Sequence, residues 1–323
     1  MSKHQLPIIF VYGPTAVGKS QFAESLAQKV PAEIVNMDSA QCYTELKIGT
    51  AKPNWQASET PHHLFDIIDA PVYTSVTEYR ERALAAIAEI RKKGKVPIFV
   101  GGSGFYLMSL LFPPVLDQFV SNYSGDGTWQ ELNRIDPDRA ANIHPNDQYR
   151  IDRALDIWHA IGVKPSEYTP QFDAPGDFSI FFLTRDRQEL RDRIEQRVDL
   201  MLQEGLVQEV ASLSPEWHNF LKKKKFIGYP QVLYYLEGSQ TAQDYQKMRV
   251  DIINKTAAYA KRQWTFWRML KGKIDDLNYL KKGVHGEVPP HFDAAVINLT
   301  LSDLDLYIKQ LSERLLGTIN TKV

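Results

Sequence analysis

The segment GPTAVGKS at residues 13–20 constrains the fold more than any other part of the chain. It matches G-x-x-x-x-G-K-[ST], in which a glycine-rich turn points backbone N–H groups at phosphate oxygens. The preceding run LPIIFVY (6–12) predicts a buried strand, and KSQFAESLAQKV (19–30) carries apolar residues at helical spacing. Strand, loop and helix are the context that this motif needs, so we predict a phosphate-binding loop. The pattern leaves open whether the phosphate is transferred, hydrolysed or released as a leaving group.

The side chains of this loop have separate predicted tasks. Lys19 brings a mobile positive charge to the terminal phosphates, and the Ser20 hydroxyl is placed to help hold Mg²⁺. The helix that begins here adds the positive end of its dipole. We predict phosphate contacts along the whole loop: Gly13, Pro14, Thr15, Ala16, Val17, Gly18, Lys19 and Ser20.

Strands and helices alternate beyond the loop. The runs at 32–37 and 96–100 predict buried strands, and 76–95 predicts a long amphipathic helix. This alternation predicts an α/β fold with a parallel, doubly wound sheet, in which ligands bind at the carboxyl ends of the strands. Asp38 and the turn GGSG (101–104) each follow a strand. We therefore expect both at the same edge of the sheet as the phosphate loop.

Three features at this edge allow more than one role. Asp38 is suited to hold a metal, to act as a general base or to cap the next turn, and its place beside the loop favours the base. The turn with Ser103 suits close approach to a ligand, or simply joins a strand to a helix. The histidines of PHHLFD (61–66) are adjacent, so on an extended chain they point to opposite sides. This favours structural or substrate-contacting histidines over a metal site.

The amino-acid composition of the chain changes near residue 113, where Pro, Gly, Ser and Asn become frequent. A helical pattern follows at 147–162, and FSIFFL (178–183) predicts a return to the sheet. The tail contains a further helix, with Ser302 as its predicted cap. We predict three parts: a core with C-terminal helices at 1–116 and 172–279, a mostly helical insertion at 117–171, and a C-terminal extension at 280–323.

Charge and cysteine content limit the partners and the compartment. The 323 residues carry a formal charge of −1, so any contact with nucleic acid must come from local basic patches. The lone Cys42 cannot form an intramolecular disulfide, which suits a reducing cytoplasm. The start of the chain lacks the pattern of a signal peptide, and the longest apolar run, 105–116, is too short to span a bilayer. We expect a cytoplasmic protein without membrane association.

Two basic segments are candidates for nucleic-acid contact. The run KKKK (222–225) is more often a solvated face than a binding site. The segment YAKRQWTFWR (259–268) interleaves cations with aromatic rings, which can grip phosphates and stack on single-stranded bases. The alternative is a helix whose aromatic residues face the core, and the pattern does not decide between the two.

Together these segments resemble the tRNA dimethylallyltransferases, also called tRNA isopentenyltransferases. The shared blocks occur in the family's order between about residues 6 and 268: GPTAVGKS, DSAQCYTELKIGTAKP, PHHLFDI, GGSGFY, IHPNDQYRIDRAL, LVQEV, IGY and YAKRQ. The resemblance implies a P-loop-type core with a helical insertion that grips the anticodon stem-loop of tRNA. It also implies transfer of a dimethylallyl group from dimethylallyl diphosphate to N6 of the adenine just 3′ of the anticodon. The bound phosphates would then be the leaving group.

The resemblance assigns roles to individual residues. Asp38 would take the N6 proton, Lys19 and Mg²⁺ held partly by Ser20 would stabilise the leaving diphosphate, and Ser103 would orient the adenine or the diphosphate. Arg185, Arg193 and Arg197 either reach the diphosphate or pair with acidic neighbours. Contacts with tRNA are implied for Asp38, Ser39, Ala40, Gln41, Ser103, Gln148, Tyr149, Arg150, Ile151, Asp152, Lys261, Arg262 and Gln263. We expect the enzyme to act as a monomer.

This chain also departs from the family pattern. Pro230 follows GY where a basic residue is usual, Ala257 replaces an arginine, and the loop after the GGSG helix lacks another arginine. Each loss removes a positive group expected to face a tRNA phosphate, and we hypothesise that 222–225 compensates. Three other functions remain open: a small-molecule kinase, an adenylate isopentenyltransferase, and a tRNA-binding protein without catalysis.

Overall fold

A parallel sheet forms the centre of the fold. Among the residues that the structure describes it has six strands: β1 (Ile8–Tyr12), β2 (Ala32–Asn36), β3 (His62–His63), β4 (Val96–Gly101), β5 (Phe178–Thr184) and β6 (Phe292–Asn298). Their order is β3-β2-β4-β1-β5-β6, and every neighbouring pair is parallel. All residues of β1, β2 and β4 are buried, as expected for a parallel sheet covered on both faces. The predicted α/β fold class is confirmed.

The computed structural model describes residues 6–114, 123–282, 292–300 and 304–322. The chain divides into two compact units, one of residues 1–74, 81–107 and 176–323 and one of residues 75–80 and 108–175. The boundary predicted at 117 and the predicted cap Ser302 lie outside the described residues, and the predicted three-part division stays a prediction.

Twelve α-helices lie in the described part of the chain. They are α1 (Lys19–Ala27), α2 (Val76–Lys92), α3 (Gly104–Leu111), α4 (Trp129–Ile135), α5 (Pro137–Ala140), α6 (Gln148–Ile161), α7 (Arg187–Gln203), α8 (Leu206–Ser212), α9 (Pro215–Lys224), α10 (Tyr229–Glu237), α11 (Ala242–Lys282) and α12 (Leu304–Lys322). None of the described helices is both long and apolar enough to cross a membrane.

Helices of the first unit bury apolar faces against the sheet. Phe22 of α1 and Ile194 of α7 belong to the same core cluster as β1. On α11 the indole of Trp267 stacks on Phe182 of β5, with ring centroids 4.8 Å apart and planes 4° apart. Trp264 meets the edge of the same ring at 4.6 Å. Trp264 and Trp267 therefore face the core, which was one of the two interpretations of the segment 259–268.

The second unit has its own small core. Leu132, Ala140, Ile151 and Leu155 of α4, α5 and α6 are buried together with neighbouring apolar residues. Side chains cap these helices, because Thr128, Asp136 and Asp147 each accept a hydrogen bond from a backbone N–H in the first turn. Gly162 ends α6 in the left-handed conformation, at φ +67°.

The tail contributes to the sheet, which the sequence analysis did not anticipate. Strand β6 pairs with β5 over its whole length, from Phe178 opposite Phe292 to Thr184 opposite Asn298. Helix α12 then packs against α1, where the rings of Phe22 and Tyr307 are 6.3 Å apart. Residues that were set apart as an extension from 280 onward thus complete one side of the core.

A buried carboxylate at the start of β2 has three basic partners. Glu33 is 1% exposed, and it accepts hydrogen bonds from Lys95 (2.9 Å) and Lys93 (3.1 Å). His63 Nε2 lies 2.7 Å from the same carboxylate. Burial alone would raise the pKa of Glu33, but the hydrogen bonds with Lys95, His63 and Lys93 lower it to about 2.

We expect the Glu33→Gln variant to reveal this cluster as pH-dependent stability. A depressed carboxyl pKa stabilises the fold above the ordinary value of 4.5, and this contribution is lost as the pH falls towards about 2. At neutral pH the variant should lose about 2 to 3 kcal/mol of unfolding free energy, measured by urea denaturation. The difference in unfolding free energy between the variant and the wild type should disappear in acid.

The matched control is Glu89→Gln, because Glu89 also pairs with Lys93, at 2.9 Å, but is largely exposed. Its unfolding free energy should change little at any pH. If the difference in unfolding free energy between Glu33→Gln and wild type stays constant from neutral pH into acid, the lowered pKa of Glu33 is contradicted.

Candidate active site

The phosphate loop joins β1 to α1 as predicted. Gly13 passes so close to β5 that a Cβ there would lie 2.5 Å from the Leu183 carbonyl oxygen. Gly18 has φ +110°, a left-handed conformation that other residues rarely adopt. Lys19 folds over the loop, and its Nζ donates to the carbonyl oxygens of Gly13 (3.1 Å) and Pro14 (2.9 Å). The loop therefore has the shape that its sequence pattern requires.

The charge of Lys19 is poorly compensated in this site. Burial and, to a smaller extent, the nearby charge of Arg197 lower its pKa to about 7, and Asp38 is the group that opposes this shift. An ammonium group that loses its proton this readily lies in surroundings that lack negative charge. A bound polyanion would supply that charge.

Arginines from α7 and from the turn between β5 and α7 surround the loop. Arg185 Nε donates to the Val17 carbonyl oxygen (2.8 Å), and Arg193 Nε donates to that of Ala16 (2.9 Å). Arg185 also pairs with Glu189, one of its acidic neighbours. Arg193 and Arg197 form no ion pair within the described residues, and burial lowers the pKa of both. Arg185 therefore pairs with an acidic neighbour, which is one of its two predicted roles. Arg193 and Arg197 lie beside the phosphate loop, in a place that suits the other role, contact with the diphosphate.

Asp38 lies in a tight turn directly after β2. Its Oδ1 accepts from the Ala40 N–H (3.0 Å), so the capping role is real. Asn36, which is fully buried, holds the turn: its Oδ1 accepts from the Asp38 N–H (2.9 Å), and its Nδ2 donates to the carbonyl oxygens of Asp38 and Leu64 (both 3.0 Å). The sequence analysis missed Asn36, although an amide at the end of an apolar strand was a usable signal.

The GGSG turn joins the ends of β2 and β4. A Cβ on Gly101 would lie 2.0 Å from the Met37 carbonyl oxygen, so only glycine fits this approach. The Ser103 N–H donates to the same oxygen (3.2 Å), and Ser103 Oγ accepts from the Ser39 N–H (3.1 Å). Ser103 is therefore next to the backbone of the Asp38 turn, as predicted, and its hydroxyl oxygen already holds that turn.

Gln263 of α11 ties the phosphate loop to the GGSG turn. Its Oε1 accepts from the Thr15 N–H (2.9 Å), and its Nε2 donates to the Gly102 carbonyl oxygen (3.0 Å). The side chain is 3% exposed. We predicted Gln263 as a tRNA contact, and this stays a prediction. Both ends of the amide are engaged inside the protein, so the side chain also positions the site. Lys261 and Arg262 are exposed on the same helix.

Two cavities meet at Asp38. The first has a volume of about 440 Å³ and is lined by the phosphate loop, Lys19, Ser20 and Arg193. The second, of about 280 Å³, extends towards the end of α9, the start of α10 and the middle of α11. Four residues line both cavities: Thr15, Asp38, Arg197 and Tyr259. The arrangement gives Asp38 a phosphate-binding space on one side and a second ligand space on the other.

The segment after Asp38 is held by residues from distant helices. Glu209 of α8 accepts hydrogen bonds from the N–H groups of Lys47 (3.2 Å), Ile48 (2.6 Å) and Gly49 (3.1 Å). The Tyr229 hydroxyl also donates to Glu209 (2.7 Å), and a Cβ on Gly49 would lie 2.6 Å from the tyrosine ring. The blocks LVQEV and IGY thus contribute support for this segment, a role that the sequence analysis did not assign.

The segment PHHLFD has structural contacts. His62 bonds to the Thr60 carbonyl oxygen (2.7 Å) and to Glu24 (3.0 Å), and His63 bonds to Glu33. Asp66 accepts from Lys52 and from Trp55 Nε1 (2.9 Å). This agrees with the structural interpretation of the histidines, although His62 also lines the first cavity.

The five predicted tRNA contacts of α6 lie in the second unit and differ in exposure. Tyr149 is 77% exposed, and Arg150 is exposed beside Asp147. Gln148 and Asp152 bond to each other (2.8 Å). Ile151 is fully buried in the small core of this unit, so its side chain is a packing group rather than an RNA contact.

We expect Gln263→Leu to lower the affinity for inorganic diphosphate about tenfold, measured by titration calorimetry. The substitution leaves the Thr15 N–H without its partner and leaves the Gly102 carbonyl oxygen with the Tyr259 hydroxyl alone (3.0 Å). The loss weakens the hold on the phosphate loop by about 1–2 kcal/mol. The control is Thr265→Ala, an exposed site on the same helix. A lower melting temperature with unchanged diphosphate affinity would reduce Gln263 to a purely structural residue.

Comparison with known proteins places this chain in a family. A profile of the IPP transferase family matches residues 41–270. The tRNA dimethylallyltransferase of Alkaliphilus oremlandii is 36% identical over 279 residues, covering 81% of this chain and 88% of that protein. The tRNA dimethylallyltransferase of Halorhodospira halophila is 39% identical over 292 residues, covering 84% of this chain and 92% of that protein.

Solved structures agree with these relatives. The tRNA isopentenylpyrophosphate transferase of Bacillus halodurans superposes with a TM-score of 0.65 at 28% identity, covering 98% of this chain and 97% of that one. A eukaryotic dimethylallyltransferase acting on tRNA gives 0.71 at 27% identity, covering 96% of this chain and 77% of the other. With a P-loop-type core, a matching profile over most of its length and relatives above 30% identity, the chain belongs to the IPP transferase family.

Proposed function

We propose that this protein transfers a dimethylallyl group from dimethylallyl diphosphate to the N6 amine of the adenine 3′-adjacent to the anticodon in tRNA, releasing diphosphate. The observation that carries the proposal is that Asp38 lies between the phosphate-binding cavity and the second cavity. The curated relatives named above are tRNA dimethylallyltransferases, which supports the same reaction.

The first cavity suits the diphosphate as a leaving group. As the allylic C–O bond breaks, negative charge grows on the departing oxygen. The loop amides, Lys19 and the guanidinium groups of Arg193 and Arg197 are grouped there with little opposing charge. Such preorganised donors stabilise charge that develops in the transition state more than charge already present in the substrate. The same cavity would exclude the water that hydrolyses an allylic cation.

Asp38 suits the role of general base. The N6 amine is a poor nucleophile because its lone pair is delocalised into the purine ring, so removal of its proton helps the C–N bond to form. The carboxylate lines both cavities, and the turn held by Asn36 and Ser103 fixes its backbone. For the adenine to reach it, the base must leave the stack of the anticodon loop.

The residues at the loop fit a Mg²⁺ ion. Ser20 has an exposed side chain at the start of α1 and lines the first cavity together with Asp38. Hydroxyl and carboxylate oxygens, completed by diphosphate oxygens and water, are the hard ligands that Mg²⁺ takes. We propose that Ser20 holds the ion, which when bound neutralises charge on the diphosphate. We further propose a monomer working in the cytoplasm, where the buried thiol of Cys42 stays reduced.

Transfer of labelled dimethylallyl groups tests the reaction. Wild-type protein with Mg²⁺, labelled dimethylallyl diphosphate and unmodified tRNA carrying adenine just 3′ of the anticodon should incorporate label. Asp38→Asn keeps the size of the side chain but removes the base, so the rate should fall by about 10²–10⁴. An unchanged melting temperature of the variant is the control for folding.

ATP consumption and label transfer to free adenylate are measured in parallel. ATP turnover without labelled tRNA would replace the proposal with a P-loop kinase. Label on adenylate but not on tRNA would replace it with an adenylate isopentenyltransferase. Binding of tRNA without any turnover would leave an RNA-binding protein without catalysis.

We expect diphosphate binding to take up a proton through Lys19. The pKa of about 7 leaves this side chain largely neutral at about pH 8, and a bound anion favours the charged form. Titration calorimetry with inorganic diphosphate in buffers of different ionisation enthalpy measures the uptake. It should shrink below the pKa, where Lys19 already holds its proton.

Lys19→Arg is the matched control, because arginine keeps its charge at every pH of the titration. The ionisation of diphosphate itself is common to both proteins, so the difference in uptake isolates Lys19. Equal proton uptake by wild type and Lys19→Arg would contradict the depressed pKa.

A further inference from the structure

The tail of the chain reaches the phosphate loop at the end of β6. Because β6 runs parallel to β5, its carboxyl end lies at the edge of the sheet that carries the loop. The Leu299 N–H donates to the Thr184 carbonyl oxygen (2.8 Å), which fixes this end to β5. A Cβ on Gly18 would be 3.6 Å from Leu299 Cδ1, so the Leu299 side chain lies against the loop.

Thr300 continues this contact through its hydroxyl group. Thr300 Oγ1 accepts from the Asp186 N–H (2.9 Å), just before α7, and donates to Glu189 Oε2. A tight turn orients the residue, because Asn298 Oδ1 accepts from the Thr300 N–H (3.0 Å). The hydroxyl group donates and accepts at the same time, which fixes its direction.

Glu189 connects Thr300 to the loop. Its Oε1 pairs with Arg185 Nη1, and Arg185 Nε donates to the Val17 carbonyl oxygen (2.8 Å). The Arg185 side chain is 13% exposed, so the pair is partly shielded from solvent. The hydrogen bond from Thr300 is the main cause that lowers the pKa of Glu189, so its carboxylate stays charged. We call Thr300, Glu189 and Arg185 the tail relay.

The phosphate loop needs support from outside to keep its shape. Ala16 has φ +64°, a left-handed conformation that is unfavourable for a residue with a Cβ. The carbonyl oxygens of Ala16 and Val17 are each held by an arginine, Arg193 and Arg185 respectively. A carbonyl oxygen that is held in this way cannot turn towards a bound phosphate, which it would repel. Among the described residues, Arg193 also lines the 440 Å³ cavity but Arg185 does not.

We propose that Thr300 is a positioning residue for the phosphate loop; its effect on the transfer reaction rests on the proposed function. It holds Glu189 so that Arg185 stays bonded to the carbonyl group of Val17. The loop then presents N–H groups, rather than this carbonyl oxygen, to the diphosphate. The tail therefore takes part in binding the donor, in addition to completing the sheet.

Binding of inorganic diphosphate, measured by titration calorimetry, tests the tail relay. Thr300→Val keeps the shape of the side chain but removes the hydroxyl, and it should weaken diphosphate binding about fivefold. Thr300→Ser keeps the hydroxyl, so its affinity should stay within about twofold of wild type. Leu315→Ala is the control for structural damage, because Leu315 is buried in α12 outside the tail relay. It should lower the melting temperature and leave the affinity for diphosphate unchanged.

A double-mutant cycle separates the tail relay from a merely structural effect of Thr300. Glu189→Ala removes the middle of the relay but leaves the hydrogen bond from the Asp186 N–H to Thr300. Adding Thr300→Val to Glu189→Ala should change diphosphate affinity by less than about twofold, whatever Glu189→Ala does by itself. The same loss in both backgrounds would overturn the relay. Tighter diphosphate binding by Thr300→Val would overturn it too, since Arg185 would then serve the ligand better when released.

Transfer kinetics connect the tail relay to the proposed reaction. Thr300→Val should raise the KM for dimethylallyl diphosphate and leave the KM for tRNA unchanged, because the relay ends at the phosphate loop. An equal rise of both KM values would overturn this placement of its effect. If wild-type protein transfers no label, the proposed function fails, and calorimetry with inorganic diphosphate still decides whether the relay positions the loop.

Discussion

The parallel arrangement of β1, β2, β4 and β5 is the constraint on which the site depends. Parallel strands deliver all their carboxyl ends to one edge, so the phosphate loop, Asp38 and the GGSG turn arrive there from three places in the sequence. Two glycines let these ends approach closely: Gly13 against the backbone of Leu183 and Gly101 against that of Met37. A side chain at either position would push the strand ends apart and misalign the phosphate loop and the base.

The charges at this edge of the sheet decide which ligand it favours. Burial makes protonated Lys19 costly and lowers the pKa of Arg193 and Arg197 as well, while Asp38 is the nearby group that opposes these shifts for Lys19 and Arg197. A buried site whose positive groups have little opposing charge favours the ligand that carries the most negative charge. In the proposed reaction that species is the departing diphosphate, so the same charge imbalance would both bind the donor and favour its cleavage.

Local patterns predicted the parts of the site that are local. The loop at 13–20, the turn at Asp38 and the turn at 101–104 are short motifs with fixed geometry, and the sequence placed all three at one edge. Asn36, Glu209 and the positioning role of Gln263 were missed because their partners are distant in sequence or their burial is set by tertiary packing. Gln263 meets Thr15 across 248 residues.

Strand β6 was missed for a related reason. Its sequence, FDAAVIN, is short and contains an acidic residue, so it carries little strand signal of its own. Pairing with β5 at the side of the sheet supplies what the sequence pattern lacks. In the same way Ile151 lies inside a motif block that the resemblance linked to tRNA, yet helical periodicity turns it into the core of the second unit.

Helix α11 holds the catalytic edge in place. Over its 41 residues it carries Tyr259 and Gln263 at that edge. The stacking of Trp267 on Phe182 fixes the helix against β5, and the Gln263 amide fixes it against two loops. The helix therefore cannot slide along its axis without breaking these contacts. Because one helix holds both the phosphate loop and the GGSG turn, these two loops keep a constant position relative to each other and to Asp38.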